Sequence, residues 1–117
     1  MLEVLVTVKR VEPIPPPGVA KLTVEDEDGV ERGTLEIPVN IFRAEAGEVM
    51  KLTLDEEEPK GLSEKALVMR GDVFKLREEE RGIRAYISCG GFQQRILFTK
   101  EKPPKPFQEV YVALEKP

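Results

Sequence analysis

Proton transfer near neutral pH most often recruits histidine, and this chain of 117 residues contains none. Ser63 and Ser88 therefore have no imidazole base to activate them, and no Gly-x-Ser-x-Gly elbow surrounds either. Cys89 is the single cysteine, too few for a zinc site or an internal disulfide. A reactive thiol there would need Arg84 or Arg95 close by to lower its pKa; the alternation of the strand points it inward instead, as a buried structural thiol. Carboxylates gather at Asp26-Glu27-Asp28 and at Asp55-Glu56-Glu57-Glu58, but neither run has calcium-loop spacing. They read as solvated acidic turns at strand ends. Gly90-Gly91 is not a phosphate loop, because no helix follows it. The sequence thus offers no catalytic residue, no metal set and no cofactor motif, and it is read as non-enzymatic with no small-molecule substrate.

A second kind of chemistry is recognition. If Val110, Val112 and Leu114 point inward, Phe107, Glu109, Tyr111 and Ala113 point outward. Together with Arg84, Tyr86, Arg95 and Leu97 they would form one exposed aromatic and arginine-rich patch. Tyrosine and arginine are enriched at the energetic centres of protein interfaces. Stacking of single-stranded nucleic acid on Tyr86 and Tyr111 is the alternative use of such a surface.

The elements that must carry these residues are short strands. Val4, Val6 and Val8 alternate with Leu5, Thr7 and Lys9; Ala20, Leu22 and Val24 alternate with Lys21, Thr23 and Glu25. Leu35, Ile37, Val39 and Ile41 form a third run, with Pro38 marking an edge or a bulge, and Met50, Leu52 and Leu54 a fourth. The span 66–76 is strand-like, with a break expected at Gly71-Asp72, and three more strands fall near 83–89, 92–99 and 107–114. Proline density makes Pro13–Gly18 a stiff connector, and Ala44–Gly47 reads as a tight connection of at most one helical turn. Gly90-Gly91 between two β runs predicts a two-residue hairpin with positive φ at both positions. That turn pairs Cys89 with Phe92, Ile87 with Gln94, Ala85 with Ile96 and Ile83 with Phe98 on one face; the other face pairs Ser88 with Gln93, Tyr86 with Arg95 and Arg84 with Leu97. About eight strands with turns at short intervals imply an all-β barrel or sandwich forming one domain over residues 1–117.

Composition narrows the partners. The net charge is −4, whereas a free-standing nucleic-acid binder ordinarily carries a basic excess. The balance favours a protein partner. Neither a basic leader nor a long apolar run opens the chain, so a cytoplasmic protein without membrane contact is expected. Many Glu, Lys and Arg with one Asn and three Gln is a habit of hyperthermophile proteins.

Several stretches, in order, resemble subunit eight of multisubunit RNA polymerase, a family with a eukaryotic and an archaeal form. Leu35-Glu36-Ile37-Pro38-Val39-Asn40, followed by Gly47-Glu48-Val49-Met50-Lys51-Leu52, is similar to that family's L-x-x-x-V-N and G-[DE]-x-[FM]-[RK]-L. Val68-Met69-Arg70-Gly71-Asp72-Val73-Phe74-Lys75-Leu76 resembles its V-M-x-G-x-V-[YF]-[KR]-[LI] strand. Ala85-Tyr86-Ile87-Ser88-Cys89-Gly90-Gly91-Phe92 resembles its A-Y-[VI]-S-x-G-G-[LF] hairpin, with Arg95 following, and Val110–Leu114 resembles its closing strand. Shorter loops after Ile41, Leu54 and Leu76 place the likeness with the archaeal form. The resemblance implies an oligonucleotide/oligosaccharide-binding-type (OB-fold-like) antiparallel barrel of about eight strands. It implies a non-catalytic subunit docked on the largest polymerase subunit, supporting assembly and stability, with DNA and RNA met only through the complex. The catalytic aspartates and magnesium would belong to that large subunit. A stand-alone single-strand nucleic-acid binder is the alternative.

Overall fold

The computed structural model describes residues 1–117, and its regular structure is eight strands: β1 (Leu2–Ile14), β2 (Val19–Glu25), β3 (Glu31–Pro38), β4 (Val49–Asp55), β5 (Leu67–Glu79), β6 (Gly82–Cys89), β7 (Phe92–Phe98) and β8 (Glu109–Glu115). Every pairing is antiparallel, and the strands close in the order β1-β2-β3-β7-β6-β5-β8-β4, with β4 returning to β1. Closure removes the unpaired edges that an open sheet would expose. The expected all-β antiparallel barrel of about eight strands is what the chain forms.

Alternation builds the interior. Val6, Val8, Leu22, Val24, Leu35, Ile37, Met50, Leu52, Leu54, Ile87, Ile96, Phe98, Val112 and Leu114 are all essentially inaccessible to solvent. Each such apolar side chain stabilises the fold by about 1.5–3 kcal/mol relative to exposure. A bulge between Val8 and Arg10 lets the long β1 serve two partners: Leu2–Thr7 pair with β4, and Thr7–Ile14 pair with β2.

Four local expectations change. Strand β1 runs on through Pro13 and Ile14, which pair with Ala20 and Val19, so the connector shrinks to Pro15–Gly18. The barrel tolerates Pro13 because β4 has already left β1, freeing one side of that stretch from any ladder. Strand β3 stops at Pro38, and Ile41, expected in the alternating run, is 74% exposed in the loop beyond it. The Ala44–Gly47 stretch forms no helical turn; it is a β-turn closed by the Glu48 amide on the Glu45 carbonyl, 3.2 Å. The irregularity in β5 falls between Val73 and Lys75, not at Gly71-Asp72.

Candidate partner-binding face

The β6–β7 hairpin forms as the Gly90-Gly91 turn requires, with φ of 58° and 93° at the two glycines. Its register runs from Cys89↔Phe92 through Tyr86↔Arg95 to Ile83↔Phe98, as expected. Tyr86 therefore sits on the outer wall beside Arg95, whose guanidinium carbon lies 5.5 Å from the ring centroid. From the other flank, Lys75 Nζ approaches the same ring to 5.1 Å. Both distances fit cation–π contact.

The β5 bulge sets what lies next to Tyr86. Val73 pairs with Ile87 and Lys75 pairs with Tyr86, so Phe74 is the extra residue. It is turned outward, 44% exposed, and meets Tyr86 edge to face at 6.2 Å and 61°. Sequence reasoning missed Phe74 and Lys75 as surface groups. The signal was present: Val73 and Leu76 are both core-type residues three apart, an odd spacing that strict alternation cannot place on one face without an inserted residue.

Phe107 joins this group from the loop before β8. It lies in a turn outside the strand that was expected to include it, is 82% exposed, and has φ of 65°. Its N–H donates to the Val73 carbonyl at 2.7 Å, and the Val73 N–H donates to the Gln108 carbonyl at 3.0 Å. These bonds anchor Phe107 beside the β5 bulge. The loop is fixed further by Gln108, whose Oε1 accepts from the Lys105 N–H and whose Nε2 donates to Glu56.

Other members of the expected patch stand apart. Leu97 is 2% exposed, so the outer wall is covered at that point and Leu97 is no surface contact; Ala113 is buried in the same way. Arg84, the cross-strand partner of Leu97, is held within the chain: Nε donates to Glu79 at 2.8 Å and Nη2 to Glu31 at 3.0 Å, leaving 14% of the side chain exposed. Burial opposes the Arg84 charge, but the bonds to Glu79 and Glu31 prevail and raise its pKa; hydrogen bonding to Arg84 lowers that of Glu79. Tyr111 pairs with Arg70 on β5, five residues before Lys75, which places it roughly 16 Å along the sheet from Tyr86 at ~3.3 Å per residue. The face therefore assembles Phe74, Lys75, Tyr86, Arg95 and Phe107, with Tyr111 outside it.

Other candidate groups have structural employment. Burial pushes the Cys89 thiol up to about 11, helped by the negative charge of Asp72, which removes thiolate at neutral pH. Asp26 closes the β2–β3 turn, its Oδ1 accepting from the N–H groups of Asp28 and Val30. Asp55 accepts from the Glu56 N–H at 2.7 Å. A surface depression of about 530 Å³ is bounded by Leu5, Lys51, Ser63, Glu115, Lys116 and Pro117. Its cations are already paired, Lys51 with Glu3 and Glu115, Lys116 with Glu48. No helix is long and apolar enough to cross a membrane.

No protein-family model matches the chain, and no curated protein matches it either. Among solved structures, it is similar to the cytoplasmic molybdate-binding protein ModG, in a crystal form with molybdate bound. The likeness is 14% in sequence with a TM-score of 0.43, over 98% of this chain and 89% of that one, and at that level it carries no argument about ligand or function.

Proposed function

We propose that this chain is a non-catalytic structural subunit of a cytoplasmic DNA-directed RNA polymerase, docked on the largest subunit and supporting the assembly and stability of the enzyme. The observation that carries the reading is the ordered likeness to subunit eight, from Leu35 to Leu114, in a chain that also presents an outward aromatic face. The fold is compatible with that role. The barrel interior is filled with apolar side chains, while Phe74, Tyr86 and two cations collect on its outer wall. Exposed aromatic groups flanked by arginine are the usual energetic centre of a protein interface.

Affinity purification of the tagged chain from its native cells, followed by mass spectrometry, tests the reading. Large polymerase subunits recovered in fixed proportion to the chain are the expected result. Recovery of the chain alone overturns it. The exposed rings of Phe74 and Phe107 also favour a second reading, single-strand nucleic-acid binding by the isolated barrel. A salt series on a labelled oligonucleotide separates the two: submicromolar affinity that falls with salt belongs to the second reading alone.

A further inference from the structure

The outer face centred on Phe74, Tyr86 and Phe107 combines three observations. Its two phenylalanines are the most exposed aromatic rings named on this wall, 44% and 82% accessible, in a barrel that buries most of its apolar residues. Both are held outward by backbone irregularities, Phe74 by the β5 bulge and Phe107 by a positive φ, the one instance in the chain outside glycine. A left-handed conformation at a bulky residue costs about 1–3 kcal/mol and persists where neighbouring structure enforces it. Here the Val73 and Gln108 bonds enforce it. A ring whose burial would stabilise the fold is instead held in water, on a backbone bonded to the residue before Phe74.

The third observation is charge. Lys75 and Arg95 enter none of the molecule's ion pairs, although Arg70 on the same strand is matched with Glu109, and Arg84 on the neighbouring strand with Glu79 and Glu31. Each instead lies against the Tyr86 ring. In a chain of net charge −4 this places two cations free of carboxylates around Tyr86, against whose ring the exposed Phe74 packs.

We infer that this face docks an acidic polypeptide segment of the partner protein, one that sets an aliphatic or aromatic side chain over Phe74 and Phe107 and carboxylates against Lys75 and Arg95. The inference rests on the docked-subunit reading and adds to it the face and the partner's chemistry. Other cations of the surface also stand outside ion pairs, but Lys75 and Arg95 are the two that lie against an aromatic ring beside exposed Phe74, so charge and apolar contact coincide here and set the orientation of the segment. Tyr86 is gripped by cations from both flanks and by Phe74 at its edge, so the apolar contact falls on the two phenylalanines.

The test places tagged second copies in the native cells: wild type, Phe74→Ser/Phe107→Ser, Lys75→Glu/Arg95→Glu, and a control, Lys60→Glu/Lys65→Glu. The control makes the same charge change in the β4–β5 loop, where Ser63 bonds Glu115 at the far end of β8. Thermal melts of the purified variants verify folding. The expected result is at least tenfold less large-subunit capture by both face variants, with the control equal to wild type. A Phe74→p-benzoylphenylalanine copy then cross-links, on illumination, to a large-subunit segment rich in Asp or Glu. Equal capture by folded face variants overturns the inference and leaves the polymerase reading standing; no capture by wild type overturns both. Nuclease-sensitive capture, or a cross-linked segment that is basic, overturns the inference in favour of a nucleic acid or of a partner of opposite charge.

Discussion

Two glycines of this barrel are required for different reasons, and the difference is measurable. Gly91 holds φ of 93° in the β6–β7 turn, yet a Cβ there would meet nothing within 4 Å. Its replacement costs conformational strain alone. Gly71 has ordinary extended backbone, but a Cβ would overlap the Ser88 carbonyl oxygen and the Cys89 sulfur across the β5–β6 pair. The carbonyl is backbone of the barrel wall and cannot swing aside. Gly91→Ala is expected to lower stability by about 1–2 kcal/mol, and Gly71→Ala by about 2–3 kcal/mol or more, in chemical denaturation. Gly91→Val adds β-branching to the strain and is expected to cost more than Gly91→Ala. An order in which Gly91→Ala is the worse of the two alanine variants would show that turn strain, not close packing, dominates here. Only Gly91 is legible in the sequence, since turn chemistry is local. Gly71 pairs with Val110 on β8, and the closeness that excludes a Cβ there comes from the end of β6 on its other side.

At the scale of elements, the hairpin register is legible because one turn type and one alternating pattern agree on it. Leu97 shows where that logic stops. Alternation gives its outward phase, but outward is not the same as exposed, and the wall is covered there. Beneath the same region lies Arg32, at the β2–β3 irregularity, 3% exposed and marked by no motif in the sequence. Its Nε donates to the Leu97 carbonyl at 3.0 Å, Nη1 to Asp26 at 3.2 Å and Nη2 to Glu101 at 2.9 Å. One side chain thus ties the β2–β3 turn and the loop after β7 to the wall. Arg32→Met leaves two partly buried carboxylates without their cation and is expected to cost about 2–4 kcal/mol. Adding Asp26→Asn and Glu101→Gln should recover part of that loss in the same denaturation assay; a triple variant weaker than the single one would show that the hydrogen bonds, not the orphaned charges, carry the energy.

The same cluster sets an acid limit. Burial opposes the charge on Asp26 and on Glu101, but the hydrogen bonds they accept, including those from Arg32, hold both below their ordinary 3.8 and 4.5. A carboxyl with a depressed folded pKa stabilises fully above its unfolded value, and the contribution is lost as pH falls through the folded one. Melting temperature should therefore hold steady on acidification to about 4.5 and decline below it. In Arg32→Met the decline should be shallower, because part of the depression is gone. Parallel pH profiles for the two proteins would remove Arg32 as the cause.

For the whole molecule, closure depends on four joins between strands distant in sequence, β1–β4, β3–β7, β4–β8 and β5–β8, and β3–β7 is the shortest of them. The β1-β2-β3 meander meets β7 through only three register pairs, Gly33↔Ile96, Thr34↔Arg95 and Leu35↔Gln94, whereas β6–β7 and β5–β6 have seven each. Side chains continue the ladder at both ends of this short seam. Arg32 bonds the Leu97 carbonyl at one end. At the other, Gln94 Nε2 donates to the Glu36 carbonyl at 2.9 Å, and the Glu36 carboxylate accepts from the Gln93 N–H, also at 2.9 Å. Gln94 performs this fully buried, with its Oε1 left without a partner inside the chain, a cost of about 1–3 kcal/mol that an apolar residue would avoid. A polar side chain kept under those terms is explained by the carbonyl it satisfies at the point where the strands diverge. The seam should therefore open before the rest of the barrel. In native-state hydrogen exchange, Arg32→Met/Gln94→Leu is expected to lower protection of the β3 and β7 amides that face each other by at least tenfold, while β5–β6 amides stay within a factor of two or three, because opening there draws on a longer ladder. A uniform loss of protection would mean that the two side chains stabilise the barrel globally. It would also mean that the short ladder is as strong as its neighbours without them.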